Sequence, residues 1–203
     1  SRLMKSSTSE FLTIRGLKSH VRLWGPDDAP KLFLMHGWMD CSASFQFLVD
    51  ALAPDWDVYA PDWRGYGLTA WSGSDSYWFP DYIGDLDALL DRIQPDAPVD
   101  LVGHSLGGGI AMQFAYQFPD RVSRLVLVGA FVKGRRARSV TPQHQREFEM
   151  QRELIRLGWG RDEHSFRLYF SSVFMPDADP QLWTDFAELM RRHRGPIVNY
   201  VHR

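Results

Sequence analysis

The stretch Val99-Asp100-Leu101-Val102-Gly103-His104-Ser105-Leu106-Gly107-Gly108-Gly109 decides how the rest of the chain is read. Its first four residues form a short apolar run of strand type, and the residues from Leu106 to Gln117 read as a helix. Gly103-His104-Ser105-Leu106-Gly107 fits the pattern G-x-S-x-G between them, directly after a strand and opening a helix, which is the context that pattern requires. The spacing has a physical reason. A serine at so tight a turn takes a strained backbone conformation and lifts its Oγ clear of the sheet. Glycines two residues to either side remove the Cβ atoms that would clash there. The helix beginning at Leu106 aims unpaired N–H groups and the positive end of its dipole toward the serine. Ser105 is therefore the candidate nucleophile.

Upstream, short apolar runs alternate with helical stretches. Phe11–Arg15 and His20–Trp24 flank Gly16-Leu17-Lys18-Ser19 and read as an opening hairpin. Lys31–Met35 is an apolar run followed by His36-Gly37-Trp38. Ser44 to Ala53 carries Phe45, Leu48, Val49 and Leu52 at helical spacing. Asp57–Ala60 reads as a strand ending in Pro61-Asp62-Trp63-Arg64-Gly65-Tyr66-Gly67. A helix with Tyr82, Leu86, Leu89, Leu90 and Ile93 follows, and Val122–Val128 is the last strand. Such alternation implies a mostly parallel sheet covered on both faces, with an antiparallel hairpin at its start. Chemistry in these sheets gathers at the carboxyl ends of the strands. The loops beginning at His36, Asp62 and Gly103 occupy those positions.

His36-Gly37-Trp38 supplies the natural second half of an oxyanion hole: the backbone N–H of Trp38 would face that of Leu106. One such donor is worth about 3 kcal/mol of transition-state stabilisation. His36 itself reads as a hydrogen-bonded structural histidine, and His104 as buried and turned away from Ser105. Asp62 and Arg64 read as residues that hold their loop by hydrogen bonds.

Composition narrows the alternatives. The 203 residues are 44% hydrophobic, which suits a packed core. No apolar run approaches the roughly 20 residues of a membrane span. Ser1 to Glu10 is polar and without the apolar stretch of a signal peptide, so a cytoplasmic site is expected. A single cysteine, Cys41, excludes an internal disulfide framework and a cysteine-based zinc site. A net charge of −2 argues against a nucleic-acid binder. That balance is uneven: residues 1–129 carry −6 and residues 130–203 carry +4. The pattern changes at the same place, so two units are expected, 1–129 and 130–203.

His36-Gly37-Trp38, Asp62–Gly67 and Gly103–Gly108 together resemble the α/β-hydrolase superfamily, most closely small bacterial esterases and C–C hydrolases with a helical cap. The resemblance runs from about Glu10 to Val128. It implies an α/β-hydrolase fold, Ser105 as nucleophile, and the backbone N–H groups of Trp38 and Leu106 as the oxyanion hole. It implies a small ester or acyl substrate and no metal or organic cofactor. A serine at position 105 argues against the dehalogenases and epoxide hydrolases, which have aspartate there.

Residues 130–203 resemble the family's helical cap. Phe166, Tyr169, Phe170, Val173 and Phe174 form an apolar helix stripe, as do Leu182, Phe186, Leu189 and Met190 after Asp179-Pro180. Phe148, Met150, Leu154, Ile155 and Leu157 offer a third. Phe131 to Arg136 and Gly158–Asp162 resemble caps of hydrolases fused to bacterial regulatory proteins, while the core resembles stand-alone enzymes. That mixture suggests a recombined or engineered chain joined near Val128.

In the family the triad runs Ser…Asp…His, the last two following later strands. Those strands are not recognised before Arg203, so the expectation is an α/β-hydrolase core lacking its C-terminal strands and with weak or no activity of its own. Asp177, Asp179 or Asp185 with His193 or His202 would satisfy the chain order but sit in cap-like segments; His144 and His164 read as solvated. Two further readings stand beside an ester hydrolase. One is a catalytically incomplete ligand-binding or regulatory module, the other an inactive fragment. A parallel sheet ending at its sixth strand would also expose an apolar edge open to self-association.

Overall fold

The computed structural model describes residues 4–38, 40–52, 55–74, 77–130, 141–143, 145–146, 149, 179–181 and 184–185. Within them the chain runs β1 (Ser7–Ile14), β2 (Leu17–Trp24), β3 (Lys31–Met35), α1 (Gln46–Ala51), β4 (Asp57–Pro61), α2 (Phe79–Ile93), β5 (Val99–His104), α3 (Leu106–Gln117) and β6 (Val122–Val128). The strands form one sheet in the order β1-β2-β4-β3-β5-β6. β2 is antiparallel to both β1 and β4, and the pairs β4/β3, β3/β5 and β5/β6 are parallel. This is the α/β-hydrolase arrangement, a mostly parallel sheet opened by an antiparallel hairpin.

β3 shows why the sheet must be covered on both sides. Alternate residues of a strand point to opposite faces. Phe33 and Met35 enter the core shared with Leu86 and Leu90 of α2 and Ile110 and Phe114 of α3. Leu32 and Leu34 enter the opposite core with Trp24, Phe45, Val49 and Val58. Each fully buried side chain of this size contributes roughly 1.5–3 kcal/mol. The stripe expected on α2 is the buried one: Tyr82, Leu86, Leu89 and Leu90 are all inside.

The hairpin is tighter than its sequence suggests. β1 and β2 pair all the way to Ile14 and Leu17, leaving only Arg15 and Gly16 in the turn. Both have positive φ, 47° and 83°, the requirement of the mirror-image two-residue turn whose twist matches the flanking strands. Arg15 accepts that conformation while its guanidinium is held by Asp81 and Asp85 of α2. The expected helix at Ser44 to Ala53 is divided: a 3-10 turn over Ser42–Phe45 precedes α1.

Among the described residues no helix is long and apolar enough to cross a membrane. The apolar stripes expected in a cap, and His144, His164, Asp177, His193 and His202, lie outside the described residues. Asp179 begins a helical stretch as its sequence suggests, with its Oδ1 accepting the backbone N–H of Gln181 at 2.8 Å.

Candidate active site

Ser105 is the residue between β5 and α3, with φ 51° and ψ −114°. A side chain is rarely tolerated there, and such strain persists only where the surroundings over-determine it. Here the turn is clamped from both ends. The Ser105 N–H donates to the Val128 carbonyl at the end of β6 (2.9 Å), and its own carbonyl accepts from Gly109 (3.0 Å). The flanking glycines are required by close approach. A Cβ on Gly103 would come within 2.6 Å of the Gly107 carbonyl oxygen, and one on Gly107 would overlap the Met35 and His36 carbonyl oxygens. The elbow is thus pressed against the end of β3.

That contact brings the second loop to the first. A Cβ on Gly37 would lie 3.2 Å from Ser105 Cβ and 3.3 Å from the His104 carbonyl oxygen, so the backbone entering Trp38 runs directly beside the serine. Leu106 is the first residue of α3, a position whose N–H has no partner within the helix. Trp38 is 39% exposed at the rim. Trp78 and Phe79 are also exposed, and the Phe79 ring approaches the first turn of α3 at Gly109.

His36 has the structural place expected of it. It is fully buried, its Nδ1–H donates to the Gly37 carbonyl (2.7 Å), and its Nε2 accepts the Trp63 N–H (3.1 Å). Burial holds its pKa below the ordinary histidine value against the pull of Asp62, and its two hydrogen bonds lock the Gly37 loop to the Asp62 loop. His104 is half-buried, not fully buried: it lies beside the backbones of Gly37 and Gly129, where the absence of side chains leaves it open.

Asp62 and Arg64 hold structure, as expected, though they reach further than their own loop. Asp62 is buried and accepts from the Ser42 N–H (2.7 Å), the Leu68 N–H (2.9 Å) and His20 Nδ1 (2.7 Å). Burial works to raise its pKa, but the His20 hydrogen bond, the nearby His36 and His20, and the Leu68 N–H together hold it below the usual carboxylate value. Arg64 binds Asp85 of α2 through two hydrogen bonds, 2.6 and 2.7 Å. Sequence reasoning missed His20, Asp40 and Asp85. Burial pushes Asp40, just beyond Trp38, up to about 7, although it accepts from the Cys41 N–H and the Ser44 hydroxyl. None of the three carried a local signal: His20 sits among Lys18, Ser19 and Arg22 in a strand of mixed polarity.

Among the described residues no side chain hydrogen-bonds to Ser105 Oγ. Of the acids that chain order would allow, Asp179 and Asp185 are described, and both are exposed.

The model of the α/β hydrolase fold family matches residues 30–190. The chain belongs to the α/β-hydrolase family. Its relatives include hydrolases of several kinds. An uncharacterized protein of Mycobacterium tuberculosis is 40% identical over 61% of this chain and 35% of its own length. A serine hydrolase-like protein of Danio rerio is 30% identical over 63% of this chain and 40% of its own. Lipase LipV of M. tuberculosis is 37% identical over 60% and 46%. The chain thus spans less than half the length of these curated relatives. Among solved structures, one reported with carboxylesterases of Nitrososphaera gargenis superimposes with a TM-score of 0.73 at 19% identity, covering 95% of this α/β-hydrolase chain and 69% of that one. A hydrolase from Novosphingobium aromaticivorans gives 0.66 at 26%, covering 93% and 64%.

Proposed function

We propose that this chain carries the nucleophile and oxyanion hole of a serine hydrolase acting on a carboxylic ester or a related acyl or C–C bond. The observation that carries the reading is the strained, glycine-clamped turn at Ser105 with the Gly37 backbone against it. Ser105 Oγ attacks the substrate carbonyl and its proton passes to a base. The oxyanion that forms is met by the backbone N–H groups of Leu106 and Trp38, assisted by the dipole of α3. Collapse expels the leaving group and leaves an acyl group on Ser105, which water then releases. Trp38, Trp78 and Phe79 favour an apolar acyl or aryl group at the mouth, and residues 130–203 would serve as the cap above it.

The base and its acid partner divide this reading from a second one. No described side chain meets Ser105 Oγ, and a serine without an adjacent base is a poor nucleophile near pH 7. A catalytically incomplete module that binds an ester-like ligand is the alternative that this observation favours. Removing triad members leaves only about 10³–10⁴-fold acceleration from the oxyanion hole and binding.

A fluorophosphonate probe and a chromogenic short-chain ester separate the two. The hydrolase reading expects Ser105 to be labelled and turnover to vanish in Ser105→Ala. Absence of both labelling and turnover, with ligand binding unaffected by Ser105→Ala, favours the binding module.

A further inference from the structure

A second serine stands in a nucleophile's company at the far side of the sheet. Ser9 lies on the edge strand β1, is exposed, and places its Oγ 2.8 Å from His20 Nε2. His20 Nδ1 lies 2.7 Å from Asp62 Oδ2. Both the imidazole and the carboxylate are buried, at 0% and 2% side-chain exposure. The Ser42 and Leu68 N–H groups fix Asp62 from two sides, and the His20 backbone is pinned by Thr69 Oγ1 and the Asp62 N–H. With Asp62 ionised, Nδ1 carries the imidazole proton and Nε2 is left to accept the Ser9 O–H. Nucleophile, base and orienting acid in hydrogen-bond contact are the geometric signature of an activated hydroxyl, whatever their order in the chain.

The surroundings complete the site. Arg22 is the cross-strand partner of Ser9. Its guanidinium lies on the same face, donating to Ser7 Oγ at 3.0 Å, and puts positive charge beside any anion formed at Ser9. Phe11, two residues along the same face, packs its ring 5.1 Å from the His20 ring and remains 46% exposed. Lys18 Nζ lies 4.7 Å over the same ring and adds a second positive charge to the cluster. β1 is four positions from β5 in the sheet, about 19 Å at the usual strand spacing, so the strand of Ser9 is well separated from that of Ser105, although Asp62 at the end of β4 lies between them.

We propose that Ser9, with His20 as base, Asp62 as its orienting acid and Arg22 beside it, is a second acylation site that accepts an acyl group from activated aryl esters. Ser9 Oγ attacks the ester carbonyl while its proton moves to His20 Nε2. The acyl–oxygen bond to the aryl group breaks, the departing phenolate takes that proton, and the acyl group stays on Ser9.

The test uses the full chain carrying Ser105→Ala, so the elbow serine contributes nothing and the outcome is independent of its role. The protein is treated with p-nitrophenyl acetate and the acetylated positions are followed with time by peptide mass spectrometry. Ser74 and Ser123, exposed serines away from this cluster, are the internal references. General-base assistance is worth 10²–10⁴-fold, so Ser9 is expected to acetylate at least about tenfold faster than either reference. It should lose that advantage when the same protein is labelled in denaturing urea. A smaller advantage in the folded protein overturns the proposal, as does an advantage that survives unfolding.

Discussion

At Ser105 the backbone sits at φ 51°, ψ −114°, and only glycine takes such a conformation without strain. Holding a side chain there costs of order 1–3 kcal/mol, while glycine loses roughly 0.5–1 kcal/mol through its freer unfolded chain. Ser105→Gly is therefore expected to be about 1 kcal/mol more stable than Ser105→Ala, read from urea unfolding midpoints. Equal stabilities would mean the turn stores no strain. Asp40 makes a different claim at the same scale. Its folded-state pKa of about 7 lies above the ~3.9 of an unfolded aspartate, so the folded protein binds that proton more tightly. The resulting stability is complete below about pH 4 and is lost as the pH rises toward 7. Asp40→Asn can still accept from the Cys41 N–H and has no charge to form. Its stability relative to the parent should improve between pH 4 and 7 and change little above. A difference flat across that range contradicts the assignment.

Elements are joined here by pairs that local pattern does not reveal. The stripe on α2 could be read from Tyr82, Leu86, Leu89 and Leu90 because helical periodicity lies within a single run of residues. That Asp85, on the same helix, would clamp Arg64 could not, since 21 residues separate them and many acids in the chain were equally eligible. The pair is only 10% and 13% exposed, and Arg15 shares Asp85 as well. Asp85→Ala should therefore cost about 1–3 kcal/mol in thermal unfolding, chiefly by removing both hydrogen bonds of the largely buried Arg64 guanidinium and leaving it only Asp81 at 3.9 Å. The hairpin teaches the same lesson. Gly16 announced a turn, but the place of Arg15 within it depended on contacts with α2.

For the molecule as a whole, β6 is the outermost strand of the described sheet, with Val126 and Val128 about half exposed on it. An apolar parallel edge invites pairing with another chain. The protein is expected to sediment as dimers or larger species at micromolar concentration and to shift toward monomer in Val126→Lys. A parent chain that is monomeric under those conditions removes the edge as an association site.

The sequence by itself determined the alternation of strands and helices and the position of Ser105 at a strand-to-helix turn. Both are local matters: periodicity and glycine sterics act over a few adjacent residues. Which loops would meet was decided only by the tertiary structure. β4, β3 and β5 are neighbours in an order that departs from their order in the chain. That arrangement sets the Gly37 backbone against Ser105 and locks His36 to Trp63, and the pairing of β2 with β4 seats His20 on Asp62. Such contacts depend on how the whole sheet buries its two faces, a global packing problem that no short stretch of residues encodes.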